Sequence, residues 1–406
     1  MSSDEPVHPH THDLDGDVGR SAAQLLRWTV IACAVLVVVG AVLLWPNRNS
    51  SGEDPMALGA EPLDAHVTNV VEGHCTADPT IVCRTVTFRV TGGYAEGDVG
   101  SFELFEGSDF SAGDDIRVIP TTASDGRVIY TFYDYQRSTP LVILAALFVV
   151  AVVVLGRWRG VGAVAGLAIS LFVIVWFALP SLLDGNNAIA VALVTAGAVA
   201  FVALYLAHGV SPSTDVALLS TFLSLGLTGV LAWIFVRLTN LTGFTDDATF
   251  TLQALGTEID PRGILLAGIV IGSLGVLDDV TVTQVSAVGQ LHRARPEIER
   301  RDLFSSALRI GRDHISSTVN TLFLAYVGAT LPLLIMFSEI SERATSVATR
   351  EVVATEIVRA LVGSIGLVAS VPLSTWMAIA VVGHHDHGRE VDEIPAVRWG
   401  DEPSPP

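Results

Sequence analysis

The fold is decided by an uncharged stretch of 18 residues, Trp28–Trp45, which reads WTVIACAVLVVVGAVLLW. A helix of this composition approaches the roughly 20 apolar residues that cross a bilayer. Arg27 precedes the stretch and a tryptophan stands at each end, as is typical of a membrane interface. The apolar core is longer than the roughly 7–15 residues of a cleaved signal peptide. We therefore predict a retained signal anchor over residues 25–45.

Similar apolar segments recur along most of the chain. Half of the 406 residues are hydrophobic and only 16% are charged, against about 25% in soluble proteins, which excludes a disordered chain or a coiled coil. With the anchor, these segments predict an α-helical polytopic membrane protein of about eight transmembrane helices, seven of them forming a core over residues 140–383. The seven are Leu141–Leu155, Val161–Leu179, Ala188–Leu206, Val216–Val236, Ile264–Val288, Val319–Phe337 and Ile357–Val382.

Residues 46–139 have a different character. Apolar and polar residues alternate in Thr85–Val90 and in Arg127–Phe132, which is the period of half-buried strands, and glycine-containing turns separate such stretches. The region therefore predicts a small all-β domain inserted after the first helix, an antiparallel barrel or sandwich for which the five-stranded OB type is our specific hypothesis.

The formal charge of −19 is distributed unevenly. The β region carries 15 acidic residues and 6 arginines, whereas the connector 290–317 carries 6 arginines and 4 acidic residues. By the positive-inside rule, the connector predicts a cytoplasmic side that also holds both termini, with the β domain extracytoplasmic. Nucleic-acid binding is not expected, because it requires a concentrated basic surface.

The two ends of the chain, residues 1–24 and 384–406, are polar and predict disordered cytoplasmic tails. Histidines concentrate in these tails, where they either bind a transition metal together or are simply solvated. The sequence leaves any metal site undefined, and we expect no cofactor.

The most informative segment is the sixth predicted span, which contains two adjacent acids, Asp278 and Asp279. An ionised aspartate in the middle of a bilayer costs roughly 2.5–3.5 kcal/mol on insertion scales, so such residues are usually functional. Adjacent carboxylates also interact, so one can hold a proton while the other is charged. The pair suits a proton relay or a cation site. The alternative is that it only forms hydrogen bonds to neighbouring helices.

The spacing of small and polar residues along this span predicts one helical face. Its outer half would pack against another helix through Gly268, Gly272 and Gly275, because small residues permit close approach. Its inner half would line an ion pathway, to which Asp279, Thr283 and Ser286 contribute. Asn320, well inside the next span, is a further pathway candidate.

Two smaller groups of residues complete the candidates. Arg309, Arg312 and Asp313 form a cytoplasmic cluster at the start of the seventh span, which is otherwise an ordinary helix start with a surface ion pair. Cys75 and Cys83 flank seven residues of the β region, so the two cysteines either form an external disulfide or are free thiols.

The chain contains no GxxxxGK[ST], HExxH or GxSxG motif, which argues against an ATP-driven motor and against an enzyme. Five other motifs are present, Gly272–Gln284, Ile310–Asp313, Asn320–Gly328, Tyr133–Arg137 and Val371–Leu373. Together they resemble those of the YibE/F-like multipass membrane proteins. It implies a bacterial inner-membrane protein with an external β domain.

Two functions follow as hypotheses. The first is a secondary transporter or permease of an unknown small solute or ion that uses the intramembrane Asp pair. The second is a cell-envelope scaffold or assembly protein whose β domain binds an extracytoplasmic protein partner. The lipid bilayer is the partner common to both, and a homo-oligomer is compatible with either.

Overall fold

The computed structural model describes residues 20–47, 61–75, 78, 80–105, 109–123, 126–244, 259–339 and 344–382. The C-terminal tail and most of the N-terminal tail, with their histidines, lie outside the described residues. The predicted tail to residue 24 is too long, because the first helix already begins at Arg20. The chain divides into two compact units, residues 48–160 and the remainder.

The chain is mainly helical. Seven helical stretches of the described residues are long and apolar enough to cross a membrane, which indicates a multipass membrane protein. The helices are α1 Arg20–Leu43, α2 Ser138–Val173, α3 Leu179–Leu183, α4 Ala188–His208, α5 Pro212–Leu238, α6 Pro261–Ala294, α7 Arg300–Glu339, α8 Ala344–Ala348 and α9 Glu351–Val381, with one π-helical turn, Ile174–Ala178, between α2 and α3.

One of the seven helical stretches contains two of the eight predicted apolar segments. The predicted segments Leu141–Leu155 and Val161–Leu179 belong to one helical stretch of 46 residues, Ser138–Leu183. This stretch breaks at Arg157, whose φ of 52° and ψ of −131° are not helical. The sequence suggested two helices because each side of the break is long enough to span a bilayer by itself, whereas about 69 Å of unbroken helix is more than twice its hydrocarbon thickness.

Helices α4, α5, α6 and α9 form the best-buried part of the helical unit. Small residues permit this packing: Ala192, Ala196 and Ala200 of α4 are at most 1% exposed and face one core cluster with α5 and α6. Hydroxyl side chains fill the contacts between α5, α6 and α9. Thr221 and Thr281, for example, share a hydrogen bond of 2.7 Å between α5 and α6, which satisfies both buried hydroxyls.

The β unit confirms the predicted small antiparallel domain after the first helix. Its five strands are β1 Leu63–His74, β2 Val82–Val90, β3 Val99–Phe105, β4 Asp115–Thr122 and β5 Val128–Tyr135, in the order β3-β2-β1-β4-β5. The sheet is nearly closed: Phe102 of β3 and Phe132 of β5, on its two edge strands, have ring centroids 5.7 Å apart. Phe88 and Ile116 are fully buried between the strands. A disulfide joins Cys75, just after β1, to Cys83 in β2.

Candidate functional site

The Asp pair lies near the middle of α6, a helix of 34 residues. Because successive residues of a helix differ by about 100°, the two side chains point in different directions. Oδ1 of Asp278 is buried and has no hydrogen-bond partner in the described part of the chain. The side chain of Asp279 is 72% exposed, and its Oδ2 lies 4.0 Å from Nε2 of His314 on α7.

His314 is therefore part of the candidate site, although its sequence position beside Arg312 and Asp313 placed it only in a helix start. Its side chain is 37% exposed, but its Nε2 is buried and, among the described residues, forms no hydrogen bond. An imidazole can donate or accept a proton at this nitrogen. The structure thus brings a carboxylate and an imidazole from two helices to one place.

The predicted packing role of Gly268, Gly272 and Gly275 is not supported by the structure. All three glycines are exposed, and no described atom outside the helix itself would lie within 4 Å of a Cβ added at any of them. Helix α6 instead packs through its other faces, which bury residues such as Leu274 and Leu277. The glycines form an open strip along α6 that leads to Asp279.

The other predicted pathway residues have different environments. Thr283 is exposed on the strip, and Ser286 is half-buried and accepts a 3.3 Å hydrogen bond from Gln290 one turn later. Asn320 is exposed on α7 six residues after His314, a spacing that places it about 120° around the helix. The structure therefore brings Thr283 into line with Asp279 but does not place Asn320 on the side of α7 that carries His314.

The predicted cytoplasmic cluster of Arg309, Arg312 and Asp313 is exposed. Arg309 donates a 3.0 Å hydrogen bond to Ser306, and Ser316 donates one of 3.2 Å to the backbone oxygen of Arg312. Within the described residues no ion pair joins Arg309 to Asp313. The three residues therefore lie on the exposed surface of α7, nine to thirteen residues after its first residue and not at its start.

Gln284 is a buried polar residue that the sequence analysis did not select. Its side chain is 2% exposed, and its Nε2 donates hydrogen bonds to the backbone oxygen of Ala307 on α7, at 2.9 Å, and to Oγ1 of Thr375 on α9, at 2.7 Å. Gly311 lies beside it, since a Cβ on Gly311 would be 2.8 Å from Oε1 of Gln284. The sequence signal for this site was a glutamine within an apolar helix, because a buried amide group needs hydrogen-bond partners on neighbouring helices.

Two further observations concern charge and metals. Arg359 donates a 2.8 Å hydrogen bond to Glu356 three residues earlier on α9, so this pair neutralises itself. Among the described residues, no three His, Cys, Asp or Glu side chains are grouped closely enough to hold a metal ion.

Outside the helical unit, Asp134 is the polar centre of the Tyr133–Arg137 motif. Arg137 donates a 2.7 Å hydrogen bond to its carboxylate, and the backbone N–H of Tyr135 donates another. These bonds, the one from Arg137 first, lower the pKa of Asp134 below its ordinary value. The motif thus has a local structural role at the end of β5.

Comparison with known proteins gives one match. No curated protein and no solved structure matches the chain. The family model described as YibE/F-like protein matches residues 144–384, which include the helices that carry the Asp pair and His314. This match covers more than half of the chain and agrees with the motifs in the sequence. The chain therefore belongs to the YibE/F-like protein family.

Proposed function

We propose that this protein is a secondary transporter or permease that moves a small solute or ion across the bacterial inner membrane, with both termini in the cytoplasm. The observation that carries the proposal is the approach of Asp279 on α6 to His314 on α7, with 4.0 Å between the carboxylate oxygen and the ring nitrogen. A carboxylate and an imidazole at this separation can exchange a proton through one water molecule or hold a cation between them.

The energetics of Asp279 support this role. An ionised aspartate at the bilayer centre costs roughly 2.5–3.5 kcal/mol on insertion scales. Its side chain is 72% exposed, so the protein covers little of the carboxylate. Water, an ion or a proton is the simplest means of stabilising such a group, and each of these is what a transport pathway supplies.

The open strip on α6 is where we propose that the pathway lies. Gly268, Gly272 and Gly275 lack side chains, and the space above them is open in the described structure. From Gly268 to Asp279 the strip extends roughly 16 Å along the helix. An exposed strip without side chains, leading to one carboxylate near the middle of the helix, is compatible with passage of a small hydrophilic species.

The test is ion flux in proteoliposomes containing the full chain. A potassium diffusion potential would drive proton uptake, reported by an internal pH-sensitive dye, and uptake of radioactive Na⁺ would be measured in parallel. We expect Asp279→Asn and His314→Gln each to reduce the flux at least tenfold while leaving membrane abundance unchanged. Asp278→Asn tests whether the half-buried acid contributes as well.

Asp302→Asn, which removes an exposed acid from the first turn of α7, is the matched control and should retain normal flux. Equal flux in wild type, D279N and H314Q would contradict the proposal. A loss of abundance in D279N without any change in flux per molecule would indicate a packing role. Absence of proton and Na⁺ flux from the wild type would favour the scaffold alternative.

The alternative function, a cell-envelope scaffold or assembly protein, has one observation in its favour. Val71, Val128 and Ile129 of the β unit are each more than half exposed, although they are large and apolar. A protein partner would cover such side chains. If this function is correct, deletion of residues 62–136 abolishes partner capture and leaves the helical unit inserted in the membrane.

A further inference from the structure

A cavity of about 200 Å³ lies at the end of the helical unit where α4 begins, α5 ends and α6 begins. Two arginines line it, Arg237 from the last turn of α5 and Arg262 from the first turn of α6. One acid, Asp260, also lines the cavity. The Asp pair is remote from it, because Asp279 lies 16 residues beyond Gly263, or roughly 24 Å along α6.

Both guanidinium groups are held in place by contacts that leave hydrogen-bond donors available. The guanidinium of Arg237 lies over the ring of Trp233, 4.3 Å from its centroid. Stacking of this kind occupies the face of the guanidinium, so the N–H groups at its edge can still donate hydrogen bonds to a ligand. Nε of Arg262 donates a 2.8 Å hydrogen bond to the backbone oxygen of Leu241. The two terminal nitrogens of Arg262 are not used in this bond and can donate to a ligand.

The cavity wall also contains the first turns of two helices. Ala188 and Ile189 begin α4, whereas Arg262 and Gly263 begin α6. Backbone N–H groups in a first turn have no acceptor within their own helix. Asp260, the residue before α6, makes no side-chain capping bond to the first turn of α6, whereas Asn187 before α4 accepts a 3.0 Å hydrogen bond from the backbone N–H of Ala190. The two helix ends adjoin at Gly263, where a Cβ would lie 2.9 Å from the Cβ of Ala188.

Among the described residues, the charges around the cavity do not cancel. Asp260 offsets one of the two arginines, and the C-terminus of α5 contributes a partial negative charge. The N-termini of α4 and α6 contribute partial positive charges, so roughly one and a half positive charges remain. This balance suits an anion that carries more than one negative charge, and phosphate matches both the fork of a guanidinium and the N–H groups of a helix end.

We propose that this cavity binds a small phosphate-type oxyanion, held by Arg237, Arg262 and the first turns of α4 and α6. The proposal does not depend on the transport hypothesis, because it involves none of the residues near Asp279. The anion is either a free phosphate or the headgroup of an anionic phospholipid, since both present the same chemistry. Trp233 and Leu266 would contact an apolar part of the ligand.

The experiment measures equilibrium binding of radioactive inorganic phosphate to the full chain in phosphatidylcholine nanodiscs. We expect Arg237→Gln and Arg262→Gln each to weaken binding about ten- to hundredfold, as expected for loss of a charge-assisted hydrogen bond. Asp260→Asn removes the opposing charge and should tighten binding severalfold. Arg295→Gln, at the other end of α6, is the control and should change the affinity less than twofold.

Nanodiscs that contain phosphatidylglycerol separate the two sources of the anion. If the headgroup occupies the cavity, this lipid competes with phosphate in the wild type and loses that effect in R237Q. R262Q also breaks the bond to Leu241, so R237Q and D260N decide the outcome if R262Q does not fold. Absence of binding in both kinds of disc would overturn the proposal, as would unchanged phosphate affinity in R237Q and D260N.

Discussion

The glycines of the helical unit differ in what surrounds them, and alanine substitution separates the two kinds. Gly311 of α7 is buried where α6, α7 and α9 meet. A Cβ there would overlap Cγ1 of Val371 on α9 and lie 2.8 Å from Oε1 of Gln284 on α6. Gly272 of α6 is exposed, and no described atom beyond its own helix lies within 4 Å of the corresponding position.

The expected magnitudes follow from these contacts. Alanine in place of a helical glycine is favourable by up to about 1 kcal/mol, and this applies at both positions. At Gly311 the added methyl group overpacks the site, which typically costs about 1–3 kcal/mol. It also displaces Gln284, whose two interhelical hydrogen bonds contribute about 0.6 kcal/mol each on average in membranes. We therefore expect Gly311→Ala to destabilise the fold by about 1–3 kcal/mol and Gly272→Ala to be neutral or slightly stabilising.

The assay is reversible unfolding of the full chain in mixed micelles, with the fraction of dodecyl sulfate raised stepwise and helicity followed by circular dichroism. The difference between the two midpoints, converted with the common slope, gives the difference in free energy of unfolding. A Gly311→Ala variant as stable as the wild type and Gly272→Ala would refute the reasoning. A Gly272→Ala variant as unstable as G311A would show that the open strip is covered by another molecule, for example a second copy of the chain.

Three further predictions concern other parts of the structure. Gln284→Leu keeps the side-chain volume but removes two hydrogen bonds, so we expect a loss of about 1–3 kcal/mol in the same micelle assay. Reduction of the bond between Cys75 and Cys83, which are 8 residues apart, should lower the stability of the β unit by about 2.5 kcal/mol, measured by urea unfolding with and without reductant. Burial and the hydrogen bond to Asp98 raise the pKa of Tyr130 in the folded protein. The protonated phenol therefore stabilises the fold fully below the ordinary tyrosine pKa, and this contribution is lost as the pH rises through the higher pKa of the folded state. Tyrosinate absorbance measures this titration.

Each of these predictions has a control. Thr283→Ala, one residue from Gln284 and exposed, should change stability by less than about 0.5 kcal/mol. A variant with both cysteines replaced by serine should be insensitive to reductant, and reductant dependence in that variant would contradict the disulfide argument. Tyr130→Phe should remove one of the components that titrate above the ordinary tyrosine pKa. An unchanged titration curve would mean that another tyrosine is responsible.

Several elements of this protein could be predicted from local sequence. The length of an apolar run decides whether it can span a membrane, regardless of what surrounds it. Alternation of polar and apolar residues likewise identifies a strand by itself. The membrane-length helices, the five-stranded β unit and the position of the Asp pair in the middle of a long helix were therefore accessible. The break at Arg157 was predictable as well, because it falls in the connector between the predicted segments Leu141–Leu155 and Val161–Leu179.

The face that each helix buries was decided only by the tertiary structure. A helix surrounded by lipid and by other helices is apolar on both sides, so hydrophobic periodicity does not distinguish its two environments. The glycine strip of α6 was expected to pack and is open, whereas Gln284 on another face is buried between two helices. His314, 35 residues beyond Asp279, approaches it only because α6 and α7 are neighbours. The sequence placed an acid within the membrane span, and the packing of the helices determined which side chain it faces.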